Sequence, residues 1–184
     1  GLKGALASDE LLIIIISLAV GSVIGEAINI EKRLEMLGAW IESKTAKSEE
    51  SVAKGFVTAS LVFCVGSMAI VGSLESGLTG NHQTLFAKSV LDGIASLIFA
   101  STFGIGVLFS CVSVFIYQGA ITMAASMMKP FLIPEVVSQM SAVGGLLILA
   151  IGINILEIKK IKVANMLPSI FLPLLYYMIR QIPL

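Results

Sequence analysis

Six short groups of residues have the types and spacing to do chemistry in this chain, and nearly all of them lie inside apolar runs. Glu26, directly after Gly25, is an acid at the end of a hydrophobic stretch, with Asn29 three residues on. An acid at such depth is read either as a cavity-facing group that binds a cation or carries a proton, or as one that reaches the headgroups or pairs with Lys32 or Arg33. Two Val-Gly-Ser triplets interrupt the next run, so that Gly66-Ser67 and Gly72-Ser73 sit six residues apart. Each glycine in a regular helix costs about 1 kcal/mol against alanine. Two readings account for them. Ala69, Ser73 and Gly77, four apart, form a small-residue strip on which another helix can pack. Alternatively the helix unwinds at membrane depth and its freed carbonyls and hydroxyls line a cavity.

Further along, Asp92 is expected to open a helix as an acid near its positive N-terminus, with Ser89 as the cap. Gly104-Ile105-Gly106 offers a second weak point, which could meet the first to form one site. Ser110, Ser113 and Tyr117, at i, i+3 and i+7, put a polar stripe on one helix face, with Gln118 and Thr122 nearby, and this face turns toward the bundle or toward a pore. Asn154 stands near a later chain exit comparable to that of Asn29; both cap helix ends or line an inner gate. Glu75 and the single histidine, His82, belong to an outer polar loop and with Asp92 could gather cations.

The elements that must position these groups are membrane spans. The 184 residues are 57% hydrophobic and 13% charged, with a mean hydropathy of +0.98, too apolar to cover a water-soluble globule. Twelve basic and twelve acidic residues cancel, which argues against a nucleic-acid partner, and the apolar composition makes the lipid bilayer the expected one. Cys64 and Cys111 lie in apolar runs without zinc-ligand spacing, so no metal and no cofactor are expected. No G-x-S-x-G, H-E-x-x-H or P-loop is present, so no enzyme is expected.

Spans of about 20 residues are predicted at Leu11 to Ile30, Gly55 to Leu74, Val136 to Leu156 and Val163 to Ile179, the last holding Pro168 and Pro173. The 36 uncharged residues from Gly93 to Met128 would make one helix of about 54 Å, so they are divided at Gly104-Ile105-Gly106 into two. Six spans place eight lysines and arginines on one side and four on the other, against seven and five if Gly93 to Met128 is one span. The positive-inside rule therefore favours six, with the basic loops cytoplasmic. Between the first two spans, Ile30, Leu34, Leu37 and Ile41 with Trp40 predict an interfacial amphipathic helix within a charged segment 31–54. A gapless likeness between IGEAINIEKR at 24–33 and IGINILEIKK at 151–160 marks two span endings, either as copies in a duplicated fold or as a chance match of basic membrane exits.

The expected fold is an all-α polytopic bundle forming a single transmembrane domain. Three blocks carry a resemblance: KGFVTASLVFCVGSMAIVGSLESGLTG at 54–80, FAKSVLDGIASLIFASTFGIGVLFS at 86–110 and GGLLILAIGINILEIKKIKVANMLPS at 144–169. Together they resemble the bacterial multi-pass membrane proteins grouped as domain of unknown function 554. The resemblance implies a small transporter-like inner-membrane protein, with no established activity and no catalytic residue to carry over. It also implies an N-terminal hydrophobic hairpin ahead of Leu11, absent here along with an initiating methionine. The function expected is a transporter or channel for a small cation, a proton-coupled or a polar neutral solute. The alternative is a non-transporting assembly or regulatory protein, and a homo-oligomer is left open.

Overall fold

The first helix, α1 (Leu11–Ile28), shows why this sequence folds as it does. Ile14, Ser17, Gly21 and Gly25 share one face and are buried, while Leu12 and Val23 on the other face stay about 70% exposed. Small residues on the inner face bring backbones together. A Cβ on Gly25 would lie 1.7 Å from the Asn165 carbonyl oxygen, and one on Gly21 2.3 Å from Ser169 Oγ. Association of apolar helices in lipid relies on such close approach, since lipid tails satisfy leucine as well as protein does.

The computed structural model describes residues 11–44 and 51–181. Asn29, with φ of 56°, ends α1 in the left-handed conformation, and α2 (Ile30–Lys44) follows at once. Helix α2 is the expected amphipathic element, with Gly38 against Ala53 and Met36, Leu37 and Trp40 exposed. The second span is broken: α3 (Ser51–Val65) and α4 (Ser67–Thr79) meet at Gly66 with a bend of 57°. A three-residue turn leads to α5 (Gln83–Phe103), and Gly104, with φ of 68°, turns the chain into α6 (Gly106–Met128). A short 3₁₀ turn, Lys129–Phe131, precedes α7 (Pro134–Ile155), which starts on a proline suited to the first helical turn.

Helix α7 is the central post, with Met140, Val143 and Leu147 fully buried. The last span opens as a nine-residue 3₁₀ segment, Val163–Phe171, and continues as α8 (Leu172–Gln181). Pro168 inside the segment supplies no N–H to an α-helical ladder. Five helices, α8 being counted with its 3₁₀ lead-in, are long and apolar enough to cross a membrane, and the α3–α4 pair taken together makes six. The bundle is all-α, as expected, and its outer face is apolar: Leu97, Phe115 and Met127 are 74, 80 and 82% exposed.

Two boundaries differ from the sequence reading. The polar loop expected from Glu75 to Lys88 shrinks to Gly80–His82, because Asn81 Oδ1 accepts the Gln83 N–H at 3.1 Å and starts α5 there. Asp92 therefore lies nine residues inside a helix rather than at its start, and Ser89 caps nothing; its hydroxyl bonds the Leu85 carbonyl at 2.8 Å. The Val-Gly-Ser triplets also differ from one another. Only Gly66 breaks the helix, whereas Gly72 is helical and packs on Thr84 and Leu85.

Candidate functional site

Gly66 has φ −55° and ψ 141°, an extended conformation open to any residue, and a methyl there would have only its own Val62 carbonyl within reach, at 4.0 Å. Its role is therefore the break itself. No side chain caps α4; the Ala69 N–H turns back to the Gly66 carbonyl at 2.9 Å. The end of α3 and the start of α4 thus leave backbone groups without helical partners inside the protein. Cys64 and Val65 at this end are buried, Ser67 at the start of α4 is half-buried, and the Val65 carbonyl faces Gly144 of α7.

Beside the break, α5 presents an ion pair that the sequence reading missed. Lys88 and Asp92, one helical turn apart, are bonded to each other within the apolar span Gln83–Phe103. Lys88 is only 5% exposed, and its ammonium sits 6.0 Å from the centroid of the Phe63 ring on α3, next to Cys64. Such a pair is stabilised by mutual attraction only against a desolvation penalty, and with Asp92 partly exposed it is loss of the carboxylate, which strands the buried ammonium, that costs roughly 3–5 kcal/mol. The signal was present in the i, i+4 spacing of opposite charges on one helix face, but it was masked by placing Lys88 in a loop.

Among the described residues, four buried polar side-chain atoms have no hydrogen-bond partner: Ser60 Oγ on α3, Ser73 Oγ on α4, and Tyr117 OH and Gln118 Nε2 on α6. Ser73 is completely buried. Native proteins satisfy nearly all such groups, so these four are the polar atoms of the bundle interior still able to bond. Of the expected polar stripe on α6, Ser110 is spoken for by the Val107 carbonyl at 2.7 Å, Ser113 is half-buried, and Tyr117 faces Phe171 with ring centroids 6.4 Å apart.

The two glycine breaks do not meet. Gly106 begins α6 against the Val52 carbonyl, where a Cβ would fall at 2.0 Å, and Gly66 lies fourteen residues further along α3, about 21 Å away. Gly104 serves the turn between α5 and α6.

At the lysine-rich end, Glu26 is gathered into a network with residues distant in sequence. Its carboxylate pairs with Lys162 at 2.6 Å and accepts from Asn165 Nδ2 at 2.5 Å, rather than meeting Lys32 or Arg33. Asn165 Oδ1 accepts the Glu31 N–H at 2.7 Å, and the Glu31 carboxylate accepts the Ala164 N–H at 3.0 Å. Burial raises the Glu31 carboxyl above its ordinary value, with the Ala164 bond opposing, and the Glu26 hydrogen bond holds the Lys162 ammonium above its ordinary value. Asn165 is the residue no sequence pattern marked. Asn154 Nδ2 and Oδ1 bond the carbonyl and N–H of Ile161, both at 2.7 Å, so it ties down the loop after α7. Next to this end a cavity of about 750 Å³ opens between α2, α3, the end of α5 and the end of α7.

At the opposite end the α4–α5 turn is closed. Glu75 accepts the Thr84 hydroxyl at 2.6 Å and Ser76 Oγ meets His82 Nδ1 at 2.9 Å, so neither Glu75 nor His82 gathers with Asp92. No group of three or more metal-ligating side chains occurs among the described residues.

The family profile described as "Protein of unknown function (DUF554)" matches residues 1–178. The chain belongs to the DUF554 family. It is 40% identical over 162 residues to the "Uncharacterized membrane protein YdfK" of Bacillus subtilis (strain 168), covering 88% of this chain and 68% of that protein. It is 34% identical over 163 residues to the "Uncharacterized protein YqgA" of Escherichia coli (strain K12), covering 86% and 69%. No solved structure matches. The DUF554 chain is thus a membrane protein whose family carries no assigned chemistry, and the break at Gly66, the Lys88–Asp92 pair and the unpaired hydroxyls are the features from which a function must be argued.

Proposed function

We propose that this DUF554 protein is a transporter of a small cation or polar solute in the bacterial inner membrane, with its site at the α3–α4 break. The observation that carries the reading is the Lys88–Asp92 pair on α5, its lysine buried and its aspartate partly exposed, set against Phe63 and Cys64 just before Gly66. Ionisable groups are rare in membrane spans and mark pathways by default. Discontinuous helices at membrane depth supply ends whose carbonyls and N–H groups bind ions and solutes. Four unpaired buried polar atoms on α3, α4 and α6 supply further contacts once a ligand or water enters.

The test is flux in proteoliposomes, screened against a panel of alkali cations and small metabolites. Asp92→Asn and the charge-free double variant Lys88→Met/Asp92→Leu should each abolish the flux found for wild type. Uptake retained in the folded double variant would remove the pair from the transport site. The assembly or regulatory alternative draws on α2, whose exposed Met36, Leu37 and Trp40 suit a headgroup-level surface. Under that reading no solute in the panel moves and all variants behave alike.

A further inference from the structure

Helix α2 sorts its charges by face. At about 3.6 residues per turn, Glu31, Glu35 and Glu42 fall on the side of Gly38, which packs on Ala53 of α3. Lys32, Arg33 and Lys44 fall on the opposite side, interleaved with Met36, Leu37 and Trp40. Burial follows the same division. Gly38 is buried and Glu31 and Glu42 are half-buried, whereas all six residues of the outer side are exposed. Two of the acids are also engaged where they stand: Glu31 accepts the Ala164 N–H at 3.0 Å, and Glu35, at the edge of the inner side, faces Lys160 at 3.9 Å. None of the three outer bases has an acidic partner among the described residues.

The outer side therefore combines unpaired positive charge with exposed apolar surface. Water suits the bases and not the indole, and hydrocarbon suits the indole and not the bases. The boundary between lipid headgroups and chains suits both. The chain holds α2 at that boundary, because the helix follows the end of span α1 through the left-handed Asn29 and packs by Gly38 on the first turn of α3. A zwitterionic surface would leave the three bases without counter-charges. Acidic phospholipids supply them, each Lys or Arg near such a surface contributing about 1 kcal/mol.

We infer that the outer side of α2 docks on the anionic phospholipid headgroups of the adjoining leaflet, with Lys32, Arg33 and Lys44 among the phosphates and Met36, Leu37 and Trp40 in the layer just beneath them. The inference stands whether or not the chain transports a solute. Ala53, on which α2 rests, follows Val52, whose carbonyl meets Gly106 of α6, so a lipid-held α2 also steadies the foot of the broken segment.

Trp40 is the one tryptophan of the chain, so its emission reports on this face alone. The full chain is placed in nanodiscs of phosphatidylcholine, or of phosphatidylcholine and phosphatidylglycerol in equal parts, and Trp40 is quenched with acrylamide, which is uncharged. Phosphatidylglycerol should lower the quenching at least twofold and shift the emission to the blue, and high salt should reverse both. The variant Lys32→Gln/Arg33→Gln/Lys44→Gln, changed only at exposed positions, should return quenching in the mixed discs to its value in phosphatidylcholine. Lys32→Arg/Lys44→Arg keeps the charge and should behave as the wild type. Equal accessibility of Trp40 in the two kinds of disc would overturn the inference: high in both, the face is left to a protein partner; low in both, apolar contact alone seats it. Shielding that survives in the glutamine variant, or fails in the arginine one, would overturn it as well.

Discussion

A single carboxyl group, that of Glu31, shows how residue-scale physics becomes measurable. Burial is the main influence on it and raises it from an ordinary 4.5, so the folded protein binds its proton more tightly than the unfolded chain does. Folding stability from this group is then fully present below the unfolded value and is lost as pH rises through the folded one. Glu31→Gln keeps an acceptor for the Ala164 N–H and loses the titration. The variant should melt with the wild type at pH 4 and above it at pH 7; an identical gap at both values would contradict the assignment. Glycines give a second comparison. Alanine at Gly25 or Gly106 meets backbone at 1.7 and 2.0 Å, whereas at Gly66 it meets nothing nearer than 4.0 Å. Gly25→Ala and Gly106→Ala should destabilise by roughly 1–3 kcal/mol in detergent melts and Gly66→Ala should scarcely register. The sequence showed that all three are glycines and could not show which faces a backbone, because that depends on the Asn165 and Val52 carbonyls, far away along the chain.

Elements were legible wherever hydropathy alone decides them, and less so where one side chain moves a boundary. The interfacial helix and the break at Gly104 followed from composition and length. The start of α5 did not, because a bond from Gln83 to Asn81 extends the helix across residues that read as a loop, and this carried Lys88 and Asp92 into the span. The 3₁₀ opening of the last span follows from Pro168, which was visible, but a proline permits a kink or a stop equally well. The six-span arrangement has its own check. In a background with Cys111 replaced, single cysteines at Ser43 and Lys160 should label from one face of the membrane and a cysteine at Asn81 from the other. Labelling of Ser43 and Lys160 from opposite faces would mean that an odd number of crossings separates them.

Across the whole molecule, the Lys88–Asp92 pair sets a pattern of stabilities that no single helix predicts. Asp92→Leu, which strands the buried ammonium, should cost about 3–5 kcal/mol; Lys88→Met, which leaves a partly exposed carboxylate, should cost less, and the double variant less than Asp92→Leu, because it leaves no lone buried charge. Additive losses in thermal melts would show that the two charges do not depend on each other. One packing feature also has a mechanical meaning. Gly106 of α6 rests on the Val52 carbonyl and Gly77 of α4 on the Thr122 carbonyl, so α6 touches the broken segment near both of its ends. Between those contacts the bent segment runs 25 residues and α6 only 16, contours of about 37 and 24 Å if each were a straight helix. The arrangement is a bow and its string: α3 and α4 can straighten only if the string is let go at one end, so any motion of the break must first part a glycine from a carbonyl.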